Sequence, residues 1–317
     1  MEEKKENTLD KNTVINNSVK PENMKAKFTG EADILTRATV GDARIYVART
    51  TRLVRKLSLR HKASRLATAA LGRTVTGALL LAATMKNEEG VGIKVTGDGP
   101  IQGITGEAQG GIARGYVGNP DVYLPPKNGH LDVGGAVGSG TISVTRYTAG
   151  AKPFTGTAEL VDGEIADDLT RYLYTSEQTP SSVGLGVLVD ETGDVQAAGG
   201  WFIQALPNCS EETLDQLDKN VRNTPYVSSL IDMGFTPERI IQMLGKDMKV
   251  EILDSYPLHF GCRCSRERVE GVLQTLPKKE LNQLAEDEKT EITCPYCNAR
   301  YEFSREEIKQ LAQKAKK

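Results

Sequence analysis

Four of the five cysteines fall in two tight pairs, Cys262 with Cys264 and Cys294 with Cys297, spaced as C-x-C, 29 residues, then C-x-x-C. Four soft thiolates drawn from two short clusters can close one tetrahedral zinc site. The same spacing can also form two local disulfides. The pattern therefore offers a metal-held folding element that an oxidant could dismantle. Cys294-Pro295-Tyr296-Cys297 has the form of a zinc-knuckle turn, which places two sulfurs on one ion. A disulfide across a single intervening residue closes a small strained ring and is easily reduced. That suits a redox switch better than a static ribbon. Arg263, Arg266 and Arg268 flank the first pair and are expected to favour thiolate over thiol. His259 precedes Cys262 and reads as a neighbour, since four thiolates already complete a shell. The fifth cysteine, Cys209, reads as a small buried hydrophobe.

Little else in the chain carries chemistry, and no enzyme activity is expected. The three histidines, His61, His130 and His259, give little material for a triad. Gly97-Asp98-Gly99-Pro100-Ile101-Gln102-Gly103 misses the G-x-G-x-x-G spacing and reads as a strand-connecting turn. Asp167 and Asp168 read as helix-start acids, and Ser176-Glu177-Gln178 as a turn or cap. Two rival functions stand beside the switch. A thiol-disulfide oxidoreductase would use Cys294 and Cys297 as a dithiol, but that motif ordinarily opens a helix in a βαβ setting. Here it lies between expected strands at 291–293 and 300–303. A static zinc-ribbon nucleic-acid adaptor would need a basic field. The net charge is −2, and residues 260–317 carry 12 bases against 10 acids. Neither nucleic acid nor an anionic membrane is an expected partner.

The cysteine pairs need a scaffold, and 317 residues suffice for one sizeable core plus a smaller unit. The expected class is α+β, with a mixed α/β core domain over residues 27–208. A helical connector follows over 209–261, and a small C-terminal zinc-binding domain over 262–317. Residues 1–26 are polar and read as a disordered extension. They lack the apolar stretch of a secretory signal, and their acids argue against a transit peptide. No apolar run approaches the ~18 residues of a membrane span. Clustered rather than scattered cysteines suit a reducing compartment, so a cytoplasmic location is expected.

Residues 90–163 hold 18 of the 31 glycines. Alternation around Val91–Val95, Gly140–Thr145 and Val183–Val189 predicts strands. The alanine-rich stretch from Ala63 to Met85 predicts a largely buried helix. Another helix is expected from Ile165, with Leu169, Tyr172 and Leu173 inward. In the connector, Ser210 can cap a helix whose apolar residues are Leu214, Leu217 and Val221. Thr236-Pro237-Glu238 starts a second, carrying Ile240, Ile241, Met243 and Leu244 and stopped by Gly245. Such short helices cannot stand alone in water and must lean on the core or the metal domain. Ser304 and Glu307 form a capping-box pair for a terminal helix, with Phe303 placed to staple onto Ile308.

Phe260-Gly261-Cys262-Arg263-Cys264-Ser265-Arg266-Glu267-Arg268 and Cys294-Pro295-Tyr296-Cys297 closely resemble the zinc motifs of the redox-regulated heat-shock chaperones named for a mass of thirty-three kilodaltons. Ser176-Glu177-Gln178-Thr179-Pro180 and Gly199-Gly200-Trp201-Phe202-Ile203-Gln204-Ala205-Leu206-Pro207 fit the same family, and the likeness runs from about Met24 onward. The resemblance implies that the reduced form holds Zn2+ on Cys262, Cys264, Cys294 and Cys297 and is a poor chaperone. It implies that oxidation forms Cys262–Cys264 and Cys294–Cys297, releases zinc and unfolds the metal domain. The oxidised protein then binds unfolding client proteins without ATP, as a homodimer. On this view Ile240, Ile241, Met243 and Leu244 are client-binding residues, covered only while the zinc fold stands.

Overall fold

The computed structural model describes residues 32–86, 89–148 and 150–314. The extension expected over residues 1–26 lies outside them. The described chain begins with β1 (Ile34–Val40), β2 (Ala43–Arg49), α1 (Thr51–His61) and α2 (Arg65–Ala82). It continues through β3 (Gly90–Gly97), β4 (Ile104–Gln109), β5 (Ile112–Val117), α3 (Val133–Val137), β6 (Gly140–Tyr147) and β7 (Phe154–Glu159). Then come α4 (Ala166–Ser176), β8 (Ser181–Val189), β9 (Val195–Ala205), α5 (Glu211–Asn223), α6 (Val227–Asp232) and α7 (Pro237–Leu244). The last elements are β10 (Val250–Pro257), β11 (His259–Phe260), α8 (Arg266–Leu273), α9 (Lys278–Leu284), β12 (Lys289–Thr293), β13 (Arg300–Ser304) and α10 (Arg305–Lys314). The class is α+β, as the composition predicts. Two compact units separate at the Cys262–Arg263 bond. No helix of the described residues is long and apolar enough to cross a membrane.

The larger unit is built on two sheets. One has the strand order β10-β1-β2-β9-β8, the other β11-β5-β4-β3-β6-β7. Pairing is antiparallel throughout except for the short β11 on β5. α2 packs on β8 and β9 of the first sheet and on β3, β4 and β5 of the second, so it is the filling between them. That position explains its composition. Nearly every residue from Leu66 to Ala82 is buried, and bulk must be small where strands press in. A Cβ at Gly72 would stand 2.7 Å from Val54 and 2.8 Å from Val187.

The first sheet is covered on both faces, and the period of two in β2 shows how. Tyr46 and Ala48 join the core around α2, while Ala43, Ile45 and Val47 belong to a second cluster. That second cluster contains Leu217, Val227, Leu230, Ile240, Ile241 and Leu244 from α5, α6 and α7. The caps expected for two of these helices are present. Ser210 accepts from the Thr213 N–H, and Thr236 from the Arg239 N–H with Pro237 following it. Leu214 departs from expectation and is exposed.

Two findings revise the picture of the connector. Its C-terminal end is strand, not helix: β10 pairs with β1 over Ile34↔Pro257 to Val40↔Val250. And the cover over Ile240, Ile241 and Leu244 is the core's own sheet. All three are fully buried there, with Val40, Ile45 and Ile203 in the same cluster. Burial of each aliphatic chain is worth about 2–3 kcal/mol, and the sheet supplies it. Of the two supports expected for these short helices, the core and the metal domain, it is the core's sheet that packs against Ile240, Ile241 and Leu244.

Among its described residues the smaller unit carries a two-stranded β12–β13 hairpin and three short helices. Its buried apolar set is modest, with Leu273, Leu281, Tyr301, Phe303, Ile308 and Leu311 the main members. The capping box at α10 forms as predicted. The Ser304 N–H donates to Glu307 Oε2 at 2.8 Å, and the Glu307 N–H donates to Ser304 Oγ at 3.3 Å.

Candidate metal centre

Each cysteine pair sits where a short local structure turns the chain. Cys262 and Cys264 occupy the link between β11 and α8, and Ser265 caps that helix through the Arg268 N–H. Cys294 and Cys297 form the knuckle between β12 and β13. The Cys294 N–H donates to the Ala299 carbonyl and the Asn298 N–H to the Cys294 carbonyl, each at 2.9 Å. Asn298 takes a left-handed φ of 56°, which closes the turn. Asparagine tolerates that conformation better than most residues.

The four Sγ atoms lie within 4.8 Å of one another, and Cys264 Sγ is 3.3 Å from Cys297 Sγ. All four are in the unbridged, dithiol form. A tetrahedral ion with ligands at ~2.3 Å holds its sulfurs ~3.8 Å apart, so this spacing fits one ion. Soft sulfur donors select zinc over hard cations such as calcium or magnesium. Cys294 and Cys297 are buried, and Cys262 and Cys264 half-buried. The C-x-x-C motif stands in a hairpin turn, not at the mouth of a helix, which is a ligand setting more than an oxidoreductase one.

The surroundings include residues that spacing does not reveal. Tyr301, on β13, is buried, and its hydroxyl bonds to Cys264. Burial, then that bond, push its pKa well above the ordinary phenol range. Two of the arginines next to the first pair, Arg266 and Arg268, bond within the small unit. Arg266 bonds the Glu302 carbonyl and Glu307, each at 2.7 Å, and stacks 4.3 Å above the Phe303 ring. Arg268 bonds the Arg263 carbonyl. A guanidinium that does reach a site sulfur is that of Arg114, whose Nη1 lies 3.9 Å from Cys262 Sγ.

The other singled-out residues lie apart from the cluster. Cys209 is half-buried before α5, with its Sγ toward the Ser210 carbonyl and its pKa raised by burial and Asp42. His259 is exposed on β11. Asp168 is fully buried and closes the entry to α4, accepting the N–H groups of Val161 at 2.7 Å and Ile165 at 2.8 Å. Glu177 pairs with Arg146 through two bonds of 2.9 and 2.8 Å. These are structural roles. Ile240, Ile241 and Leu244 lie buried on the sheet, with Met243 partly buried beside them.

Comparison with known proteins gives one consistent answer. The family model described as Hsp33 protein matches residues 33–304. A 33 kDa chaperonin of Desulforamulus reducens is 45% identical over 285 residues, covering 88% of this chain and 97% of that protein. One from Symbiobacterium thermophilum is 46% identical over 286 residues, with the same coverage of 88% and 97%. Among solved structures, the 33 kDa chaperonin (heat shock protein 33 homolog) of Thermotoga maritima superposes with a TM-score of 0.82 at 34% identity, covering 89% of this chain and 98% of that one.

Proposed function

Because the chain belongs to the Hsp33 family, we propose that it is an ATP-independent chaperone of the holdase kind, switched on by oxidation of its metal centre. The observation that carries this reading is the gathering of Cys262, Cys264, Cys294 and Cys297, in dithiol form, within reach of one ion. These four residues would hold zinc, and the bound ion would tie the segment before α8 to the β12–β13 knuckle. In small modules such a tie contributes about 10–16 kcal/mol to folding. With so few buried apolar side chains, the small unit needs that staple.

Oxidation removes the ligands. Two thiols and one hydrogen peroxide give one disulfide and two waters, so two peroxides convert both pairs. Cys262 joins Cys264 and Cys294 joins Cys297, because short loops close at the least entropic cost. A disulfide sulfur is no longer a thiolate ligand, and the metal is given up.

The effect reaches α7 along the chain. Upstream of Cys262 lie the two-residue β11 and then β10, an edge strand whose residues are mostly exposed. Glu238, in the first turn of α7, accepts from Thr36 Oγ1 at 2.8 Å and Ser255 Oγ at 3.4 Å, while Thr36 and Ser255 lie 2.9 Å apart. Loss of β10 takes Ser255 out of this group and weakens the hold on α7. A helix of 8 residues does not persist alone. Its departure bares Ile240, Ile241, Met243 and Leu244, together with the sheet face of Val40, Ile45, Val47 and Ile203.

The proposed partners are unfolding client proteins and, in the oxidised state, a second copy of the chain. Nucleic acid and membrane are not among them, and the proposed compartment is the cytoplasm. The test is an aggregation assay on a thermally unfolding client. Peroxide-treated protein should suppress light scattering, and reduced zinc-loaded protein should not. Equal suppression by both forms would refute the switch, and suppression by neither would refute the chaperone reading.

A further inference from the structure

The lead-in to the first metal cysteine is pinned to the larger unit along its length. The Leu258 N–H donates to the Asp33 carbonyl, the His259 N–H to the Gly111 carbonyl and the Gly261 N–H to the Ala113 carbonyl, all at 3.0 Å. The Phe260 ring lies under the Arg60 guanidinium, 4.7 Å from its centroid, with Lys56 Nζ at 5.2 Å. The register His259↔Ile112 and Phe260↔Ala113 then brings Cys262 beside the next residues of β5. There Arg114 Nη1 stands 3.9 Å from Cys262 Sγ. Its other nitrogens are committed to Glu107 on the neighbouring strand. Nε and Nη2 donate to Glu107 Oε2 at 2.9 and 2.6 Å, and the two residues are direct cross-strand partners. Both side chains are about three-quarters buried, at 24% and 25% exposure, so solvent screens the group little.

We propose that Arg114 is a positioning residue of the metal centre: its guanidinium holds the Cys262 sulfur in place as a ligand, and Glu107 fixes the direction of the guanidinium. The inference rests on the zinc reading above and deepens it. A divalent ion on four thiolates leaves a negatively charged centre, and a cationic N–H donor on one sulfur relieves that charge. The rigid planar fork of arginine serves a carboxylate and a sulfur at once in fixed directions, whereas the ammonium of lysine is a compact point charge on a flexible stem with no such fixed geometry.

The test uses the full-length chain with Arg114→Leu, Arg114→Lys and Glu107→Gln. Zinc affinity is read by competition with a chromogenic chelator. Cobalt(II) loading gives a sulfur-to-metal charge-transfer band whose energy reports hydrogen bonding at sulfur. Arg114→Leu should weaken zinc binding about tenfold, in the range usual for partners behind a metal ligand, and should move the band to lower energy. Arg114→Lys should recover part of both effects, and Glu107→Gln should fall between wild type and Arg114→Leu. Wild-type affinity with an unmoved band in Arg114→Leu would overturn the proposal. So would a lowered thermal midpoint with an unmoved band, which marks a role in folding only. If Arg114→Leu does not fold, Glu107→Gln decides: a moved band at wild-type thermal midpoint supports the proposal, and an unmoved band overturns it. A wild-type chain that takes up neither zinc nor cobalt overturns the metal-centre reading itself, and the proposal with it.

Discussion

Replacing Ile240 by alanine should make the reduced, zinc-loaded protein a partly active chaperone. Ile240 is fully buried and shares its cluster with Val40, Ile45 and Ile203 of the first sheet. Truncation leaves a cavity between helix and sheet, and such changes cost about 2–5 kcal/mol. A helix at the surface of its unit can settle partly into the gap, so about 3 kcal/mol is a fair value. The cost falls on the docking of α7, because the sheet beneath keeps its own hydrogen bonds and its opposite face. Three kcal/mol is roughly a hundredfold in the population of the undocked state. The reduced variant should therefore suppress client aggregation at concentrations where reduced wild type does not. Ile240→Val, costing about 1 kcal/mol, should show a much smaller gain. Hydrogen exchange supplies the control: protection should fall over 227–244 and hold in β2, β9 and α2. If α7 loses protection and the reduced variant stays inactive, the client surface is not the one that α7 covers.

Three further outcomes follow from the geometry. Cys294→Ser should lower zinc affinity sharply and unfold residues 263–314 in reduced protein, read by metal analysis and limited proteolysis; unchanged affinity would remove Cys294 from the ligand set. Trp201, the only tryptophan, lies at 8% exposure in the cluster under α6 and α7, so its emission should shift to the red on oxidation, and an unmoved spectrum in an active oxidised sample would mean these helices stay docked. Asp33 is 4% exposed, and burial raises its pKa from 3.8 to about 6 despite the N–H bonds from Leu53 and Arg52. The folded state holds the proton more tightly, so this group's contribution is full below the unfolded value and is lost as pH rises from about 4 through about 6, a change of about 3 kcal/mol. Asp33→Asn should thus gain stability relative to wild type on going from about pH 4 to about pH 7; a difference in denaturation midpoint that does not vary with pH would refute the shift.

What the sequence declared, it declared through local chemistry. The caps at Ser210, Thr236 and Ser304, the knuckle at Cys294 and Cys297, and the inward residues of α4 all depend on neighbours within a few positions. What it hid depends on pairing between distant segments. β10 is an edge strand whose burial pattern shows no alternation, so nothing in its residues reports the partner β1 some two hundred positions earlier. α1 has no side-chain cap of its own at Thr50; Asp33 supplies the acceptor, bonding the Arg52 and Leu53 N–H groups at 3.1 and 2.6 Å. Arg114 reaches Cys262 only through the β5–β11 register. Tyr301 meets Cys264 because the β12–β13 hairpin brings it back to the site. Arg266 and Arg268, close to the first pair in sequence, find hydrogen-bond acceptors within the small unit, because proximity in sequence does not fix where a long side chain finds its acceptor.

Oxidation of the cysteine centre should uncover the connector helices and the sheet face beneath them. Hydrogen exchange on reduced zinc-loaded and peroxide-oxidised protein measures this directly. Protection should be lost over 263–314 and over 210–259 on oxidation, while α2 and the strands of both sheets other than β10 and β11 keep theirs. Full protection of α5, α6 and α7 in oxidised protein that suppresses aggregation would contradict this, and would place the client surface elsewhere on the chain.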